Sequence, residues 1–228
     1  APRIGWHFRR KSEHFKFYSQ LIKEFGKVID MDPWFFESYF EVIEAVDFDN
    51  PDSRELVAKA VDDLIVKIKN KYQEYGGSDT PSVFIKNNAG TYGLGVIRVN
   101  SGDDVRKLNQ HARKQMRVGK GSVDINSILL QEGVTTVERV KGLVAEPVMY
   151  LVGNQMVGGF YRLNEEKGDT DNLNSKGMQF SKSCLHENFG YENIHNMELQ
   201  LADLQPIYET ISAIASLAAG LELKALDQ

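Results

Sequence analysis

Hydrophobic positions in the first third of the chain recur three or four residues apart, which is the spacing of a helix face. The pattern predicts a helix from Ser12 to Ile29, with Ser12 as its N-cap, and a second from Pro33 to about Val46, with proline in its first turn. The most regular repeat predicts a third helix from Asp52 to Tyr75, ended by Gly76-Gly77. We therefore expect residues 1–80 to form a mainly helical N-terminal region.

After residue 80 the pattern changes to short apolar runs that are separated by glycine-containing turns. Strands are predicted at 82–86, 94–99, 127–131, 144–151 and 155–163, the last two joined as a hairpin by Gly153-Asn154. Helices are predicted at 103–117 and 198–223, and the polar segment 165–183 is expected to be an exposed loop. Helices, then strands with one helix, then helix again predict an α+β fold with antiparallel sheets, flanked by helices.

The segment from Val83 to Val96 carries a lone lysine, Lys86, and then three glycines within six residues. Backbone N–H groups of glycine-rich loops form concavities that hold phosphate oxygens, and a lysine adds a point charge for the same anion. The segment lacks the Gly-Lys-Ser/Thr of a Walker A motif, and a strand rather than a helix follows it. Strand, glycine loop, strand is the arrangement of a lid over nucleotide phosphates, and a plain flexible hairpin is the alternative.

Two further segments offer groups for a nucleotide site. One strand ends in Gln131-Glu132-Gly133-Val134, where backbone N–H and C=O groups can pair with adenine and a carboxylate can bind the ribose hydroxyls. The alternative is a strand that ends in a polar turn and binds no ligand. The predicted hairpin carries only two charges in its strands, Glu146 and Arg162, and charges in apolar runs lie at exposed ends or on functional faces. The acid and amide side chains of residues 169–177 are suitable ligands for Mg²⁺. The alternative is that this segment is a solvated loop without a metal.

Composition excludes several classes of protein. The 228 residues carry a net charge of −5, so no overall field favours nucleic acid, and no apolar run reaches membrane-spanning length. The only cysteine, Cys184, cannot form an intramolecular disulfide and favours a reducing cytoplasm. The chain begins at Ala1 without a signal-peptide pattern; we expect it to be a fragment of a longer protein, and the alternative is removal of a tag or of the initiator methionine.

Six segments occur in an order that resembles the proteobacterial type of glutamate–cysteine ligase, an ATP-grasp-like family. They are Arg9–Phe15, Ala89–Gly95, Gln131–Val134, Ala145–Val148, Val157–Arg162 and Asn172–Asn174. The likeness runs from about Gly5 to Glu222 and corresponds to the second half of the family's longer proteins. Asn87-Asn88 stands where the family usually has Ala-Asp.

The resemblance implies an ATP-dependent ligase that joins the glutamate side-chain carboxylate to the cysteine amine through an acyl phosphate, the first step of glutathione biosynthesis. It implies a glycine-rich lid and a nucleotide-binding and catalytic region at 81–228. The implied partners are glutamate, cysteine and ATP with Mg²⁺, and neither nucleic acid nor membrane; the oligomeric state is open. The alternatives are another carboxylate–amine ligase, such as a glutathione synthetase-like enzyme, a non-catalytic nucleotide-binding module, and an interaction domain without a ligand.

The resemblance also implies a role for individual residues. Lys86 and Arg162 are implied as catalytic, Lys86 at the α- and β-phosphates and Arg162 at the transferred phosphoryl group. The implied nucleotide-binding residues are Lys11, Lys86, Gly90, Thr91, Tyr92, Gly93, Gly95, Gln131, Glu132 and Val134. The implied Mg²⁺ ligands are Glu146, Asn172 and Asn174.

Overall fold

The computed structural model describes residues 9–89, 95–117, 127–182 and 201–226. These residues form two compact units, the first from 9–15 and 31–134 and the second from 16–30 and 135–226. These two units are defined by which residues pack together. The predicted division at residue 80 separates a mainly helical region from a nucleotide-binding and catalytic region, and it stays a prediction. In the described parts of the chain, no helix is both long enough and apolar enough to cross a membrane.

The predicted α+β class with antiparallel sheets is confirmed. The helices are α1 Lys11–Ile29, α2 Pro51–Glu74, α3 Gly102–Arg106, α4 Gln110–Arg117 and α5 Leu201–Leu226. The strands are β1 Phe40–Ile43, β2 Val83–Asn87, β3 Val96–Val99, β4 Ile128–Glu132, β5 Arg139–Val140, β6 Leu143–Val152, β7 Gln155–Asn164 and β8 Met178–Lys182.

The first unit is built on a four-stranded antiparallel sheet in the order β1-β4-β2-β3. Strand alternation places Val83 and Ile85 in the core that also contains the buried stripe of α2, and it places Phe84 and Lys86 on the opposite face. The α2 stripe is the one that the sequence predicts, and its fully or almost fully buried members are Val57, Val61, Leu64 and Ile68. Burial of each such side chain stabilises the fold by about 1.5–3 kcal/mol.

The helix predicted from Pro33 to Val46 is wrong. Its start signals are real, since Pro33 opens a helical turn and the Asp32 carboxylate accepts a hydrogen bond from Trp34 N at 2.8 Å. The turn is a 3-10 helix of only three residues, Pro33–Phe35, and the chain then enters β1. Pairing of β1 with β4, far along the sequence, outweighs the local preference for helix.

The segment predicted as one helix from Asp103 to Arg117 forms two, α3 and α4. The start of α3 is fixed against α2, because Gly102 N donates to Asp62 Oδ1 at 2.6 Å. A Cβ atom on Gly102 would lie 2.4 Å from Ala58 O and 2.4 Å from Asp62 Oδ2. Only glycine allows the two helices to approach this closely.

The second unit contains a four-stranded antiparallel sheet in the order β5-β6-β7-β8. Its predicted hairpin is confirmed, with Gly153 at the turn in the left-handed region (φ +62°) and its carbonyl accepting a 2.6 Å hydrogen bond from Ser216 Oγ of α5. The loop predicted at 165–183 is wrong at its end, where β8 pairs with β7. Of the predicted helix 198–223, residues 198–200 lie outside the described part of the chain.

Candidate functional site

Lys86 lies near the end of β2, on the sheet face opposite α2. Its Nζ donates to Gln131 Oε1 of β4 at 2.6 Å. The Gln131 amide is fixed in this orientation because its Nε2 donates to Ser38 Oγ at 2.7 Å. Lys86 and Gln131, which the sequence predicted separately as nucleotide-binding residues, are thus brought together by the sheet.

Lys11 lies at the start of α1 and is brought to the same region of the first unit. Its Nζ donates to the carbonyl of Asn87, the residue after Lys86, at 2.7 Å. Burial, and secondarily the positive charge of Lys86, lowers the pKa of Lys11 from 10.5 to about 8. Two positive charges that act on each other in this way favour an anion, because a bound phosphate would relieve their repulsion.

Asn88 is a buried residue that sequence reasoning did not select, and it joins three elements. Its Oδ1 accepts from Ser12 N at 3.0 Å, and its Nδ2 donates to Ser12 Oγ at 2.9 Å and to Ser127 Oγ at 3.0 Å. Its backbone carbonyl accepts from Lys11 N at 3.0 Å. The predicted N-cap, Ser12, therefore lies inside the helix, and Asn88 provides the capping oxygen from 76 residues away.

Asn87 joins the two ends of the glycine-containing loop. Its backbone N donates to Gly95 O at 2.9 Å, and its Oδ1 accepts from Ala89 N at 2.9 Å. Gly95 has φ +65°, and a Cβ there would lie 3.1 Å from Asn87 Cβ, so both conformation and space favour glycine. No described residue accepts a hydrogen bond from the buried Nδ2 of Asn87. The remaining predicted loop residues, Gly90, Thr91, Tyr92 and Gly93, lie outside the described residues.

Glu132 is buried, and its carboxylate is engaged by the protein itself. It accepts from Trp34 Nε1 at 3.2 Å and from Tyr39 N at 2.9 Å, and burial raises its pKa. Gly133 follows with its N bonded to Ser82 O, and a Cβ there would lie 2.3 Å from Ser82 Oγ. Val134 is 65% exposed. The contacts of Glu132 fix the end of β4, and its predicted role at ribose, like that of Val134, stays a prediction.

The remaining predicted residues lie in the second unit. Arg162 of β7 stands opposite Glu146 of β6, and Arg162 Nη1 lies 3.3 Å from Glu146 Oε2. Among the described residues, the buried Nε of Arg162 has no hydrogen-bond partner, so the guanidinium keeps a donor for a further acceptor. Asn172 Oδ1 accepts from Asn174 N at 3.1 Å, in a turn anchored by the fully buried Leu173.

The donor chemistry of Glu146, Asn172 and Asn174 suits Mg²⁺, whose ligands in proteins are carboxylate and amide oxygens together with water. Asn172 and Asn174 share one tight turn, which puts two amide side chains on a single short loop. Within the described ranges, the structure has no group of three or more His, Cys, Asp or Glu residues placed to hold a metal ion. The three residues fit the ion by type, and their role as its ligands stays a prediction.

A buried titratable pair on the other face of this sheet was also missed by the sequence analysis. Glu138 precedes β5, and its carbonyl accepts from Ala145 N at 3.0 Å. Burial raises the pKa of Glu138 and of Tyr161, whose phenol interacts with that carboxyl group. The neighbours of Tyr161 are the buried Ala145 and Leu163, and we interpret the pair as part of the core of the second unit.

The comparisons with known proteins were made for the whole sequence. Residues 1–223 match the family model described as GshA, glutamate-cysteine ligase. A crystal structure from Methylobacillus flagellatus KT, named "Putative gamma-glutamylcysteine synthetase", is similar with a TM-score of 0.82 and 35% sequence identity. The alignment covers 98% of this chain and 53% of that one, so this chain spans about half the length of that relative. No curated protein matches the sequence.

Proposed function

This chain belongs to the glutamate–cysteine ligase family, and on that premise we propose that it binds ATP and joins the side-chain carboxylate of glutamate to the amine of cysteine. The observation that carries the proposal is that two lysine amines meet the end of β2: Lys86 of that strand donates to Gln131 Oε1, and Lys11 donates to the carbonyl of the next residue, Asn87. A polyphosphate is the ligand class that such a pair favours. The single cysteine of the chain supports a reducing, cytoplasmic setting.

The proposed reaction has two steps. A carboxylate oxygen of glutamate attacks the γ-phosphorus of ATP, a new P–O bond forms, the bond to the β,γ-bridging oxygen breaks, and ADP leaves. The cysteine amine then attacks the acyl carbon, a C–N bond forms, the C–O bond to phosphate breaks, and the amine proton passes to solvent. The protein contributes positioning and stabilisation of charge.

Each predicted residue has a part in this reaction. Lys86, held by Gln131, binds the α- and β-phosphates, and Lys11 adds a second charge to the same anion. Backbone amides of the loop from Gly90 to Gly95 bind the β- and γ-phosphates, and Glu132 and Val134 border the adenosine. Arg162 uses its remaining Nε donor for the phosphoryl group or the acyl phosphate.

The finer fold assignment is also a proposal. We assign an ATP-grasp-like architecture, with the loop between β2 and β3 as its glycine-rich lid and residues 81–228 as the nucleotide-binding and catalytic region. The antiparallel sheets and the family resemblance support this assignment. Glu146, Asn172 and Asn174 would hold Mg²⁺, which in phosphoryl transfer neutralises charge on the phosphate oxygens.

A substrate-omission assay tests the proposed function. The chain is incubated with ATP, Mg²⁺, glutamate and cysteine, and we expect ADP and γ-glutamylcysteine to form in equal amounts. ADP formation that requires γ-glutamylcysteine and glycine instead would assign a glutathione synthetase-like reaction. ATP binding without ADP formation under any substrate set would reduce the proposal to a nucleotide-binding module, and absence of ATP binding would overturn it entirely.

The affinity for ATP is expected to fall as pH rises through about 8. Phosphate stabilises the protonated form of Lys11, whose pKa in the free protein is lowered to about 8, so ATP binds more tightly below that pH. Linkage predicts a decrease of about tenfold between pH 7 and pH 9, measured by isothermal titration calorimetry. Lys11→Arg stays charged over this range and is expected to flatten the profile; the same slope in both proteins would contradict the role of Lys11.

A further inference from the structure

We propose that Asn88 is a positioning residue of the phosphate site, because it holds the first turn of α1 so that the Lys11 amine reaches the carbonyl of Asn87, the residue after Lys86. The inference rests on the proposed function and adds to it a residue that does not itself touch the nucleotide. Its basis is the set of hydrogen bonds that join Asn88 to α1 and to Ser127, the residue before β4.

The first step concerns the N-terminus of α1. The first turn of a helix has backbone N–H groups without partners inside the helix, and a side-chain oxygen must satisfy them. Asn88 Oδ1 does this for Ser12 N at 3.0 Å, and Asn88 Nδ2 binds the Ser12 hydroxyl at 2.9 Å. Both ends of one amide therefore hold the residue that follows Lys11.

The second step concerns Lys11 itself. Its backbone N donates to Asn88 O at 3.0 Å and its Nζ donates to Asn87 O at 2.7 Å. The lysine is thus bound at its main chain and at its amine by two consecutive residues that directly follow Lys86 in the sequence. Movement of α1 away from Asn88 would move the Lys11 amine away from Lys86.

The third step concerns the rigidity of Asn88. It is 2% exposed, its Nδ2 also donates to Ser127 Oγ at 3.0 Å, and its backbone N donates to Ser127 O at 3.1 Å. Ser127 Oγ in turn donates to Glu44 Oε1 at 3.0 Å, the acidic group of this network. Asn88 is therefore fixed to Ser127, the residue before β4, independently of its contacts with α1, and it can hold the helix in position.

The arrangement has a cost that makes positioning necessary. Lys11 and Lys86 repel each other, and burial of the Lys11 amine opposes its charged form. Without a fixed first turn, the flexible side chain of Lys11 would turn toward solvent and would have to become ordered when ATP binds. Because the side chain is already ordered, ATP binding does not include the entropy cost of ordering it.

A double-mutant cycle between Asn88→Ala and Lys11→Ala tests the inference, with ATP affinity measured by calorimetry on the whole chain. We expect Asn88→Ala alone to weaken ATP binding about five- to tenfold, the size of a lost helix cap. In the Lys11→Ala background the same change is expected to alter affinity by less than about twofold, because the residue acts through the lysine. A merely structural role would weaken ATP binding equally in both backgrounds, and that additive result would overturn the inference.

Two further variants sharpen the test. Asn88→Asp keeps the oxygen that accepts from Ser12 N and is expected to retain affinity within about threefold. Ser127→Ala removes one partner of Nδ2 but leaves both contacts of Asn88 to Ser12 and the backbone bond from Asn88 N to Ser127 O, so it serves as the matched control with affinity within about twofold. A loss in Asn88→Asp as large as that in Asn88→Ala, at an unchanged melting temperature, would overturn the inference.

The outcomes separate this inference from the proposed function. If Asn88→Ala does not fold, Asn88→Ser, whose hydroxyl is too short to reach Ser12 N, takes its place in the cycle. Lys11→Ala with unchanged ATP affinity would overturn both the role of Lys11 and the positioning by Asn88. A clear loss in Lys11→Ala together with an additive cycle would leave the proposed phosphate site in place and overturn the inference alone.

Discussion

Lys86→Ala is expected to weaken ATP binding about 10- to 100-fold, because a hydrogen bond to a charged group contributes about 1.5–3 kcal/mol. The loss of one positive charge also removes the repulsion that, second to burial, lowers the pKa of Lys11, so Lys11 becomes more fully protonated and partly offsets the loss. Isothermal titration calorimetry at neutral pH, below the pKa of about 8 of Lys11, gives the affinity directly.

The fold is expected to tolerate this substitution. Lys86 lies on the face of the sheet opposite α2, and water can replace its hydrogen bond to the half-buried Gln131. The free energy of unfolding should change by less than about 1 kcal/mol. Lys107→Ala, at a lysine of the same unit whose side chain is 76% exposed, is the matched control and should leave ATP affinity unchanged. Equal affinities of Lys86→Ala and Lys107→Ala would refute the phosphate role.

Gly102→Ala is expected to destabilise the first unit by about 3 kcal/mol, near the upper end of the usual cost of overpacking. The added Cβ would meet the carbonyl oxygen of Ala58 in α2, which cannot move without disturbing that helix. It would also meet the Asp62 carboxylate that binds Gly102 N, so the start of α3 would lose its anchor. Urea denaturation followed by circular dichroism measures the change.

Gly220→Ala is the matched control for this substitution. Gly220 lies inside α5, and no atom of the part of the chain that the structure describes lies within 4 Å of the position that its Cβ would occupy. Alanine is favoured over glycine in a helix by about 0.5–1 kcal/mol, so this variant should be at least as stable as the wild type. A denaturation midpoint of Gly102→Ala equal to that of the wild type would show that α2 and α3 adjust without cost.

The sequence predicts elements well where the local pattern and the tertiary contacts agree. The α2 stripe is an example, because four of its apolar positions at helical spacing are buried against the sheet. The segment after Pro33 shows the opposite case, since a proline at a first turn predicts a helix to about Val46 and the helix that forms has only three residues. Phe40–Ile43 becomes a strand because β4 supplies its hydrogen bonds. The local sequence around Pro33 does not indicate this pairing, since β4 lies far along the chain. The strand β8, inside a predicted loop, depends on β7 in the same way.

The candidate site was predictable in part. A lysine at the end of an apolar run, before a glycine loop, identifies Lys86 by its position alone. Its contact with Gln131 and the approach of Lys11 depend on pairing of β2 with β4 and on packing of α1, which a local pattern does not contain. Asn88 was missed because its partner Ser12 is 76 residues away and offers a plausible N-cap of its own.

The contact between Trp34 and Glu132 gives the protein an optical reporter. The Trp34 indole donates to a carboxylate whose neighbour in β4, Gln131, binds the Lys86 amine. Indole emission responds to nearby charge and hydration, so an anion that draws Lys86 away from Gln131 would alter the fluorescence of a residue two contacts distant. The sequence contains only one other tryptophan, Trp6, and its replacement by phenylalanine would leave Trp34 as the sole source of that signal.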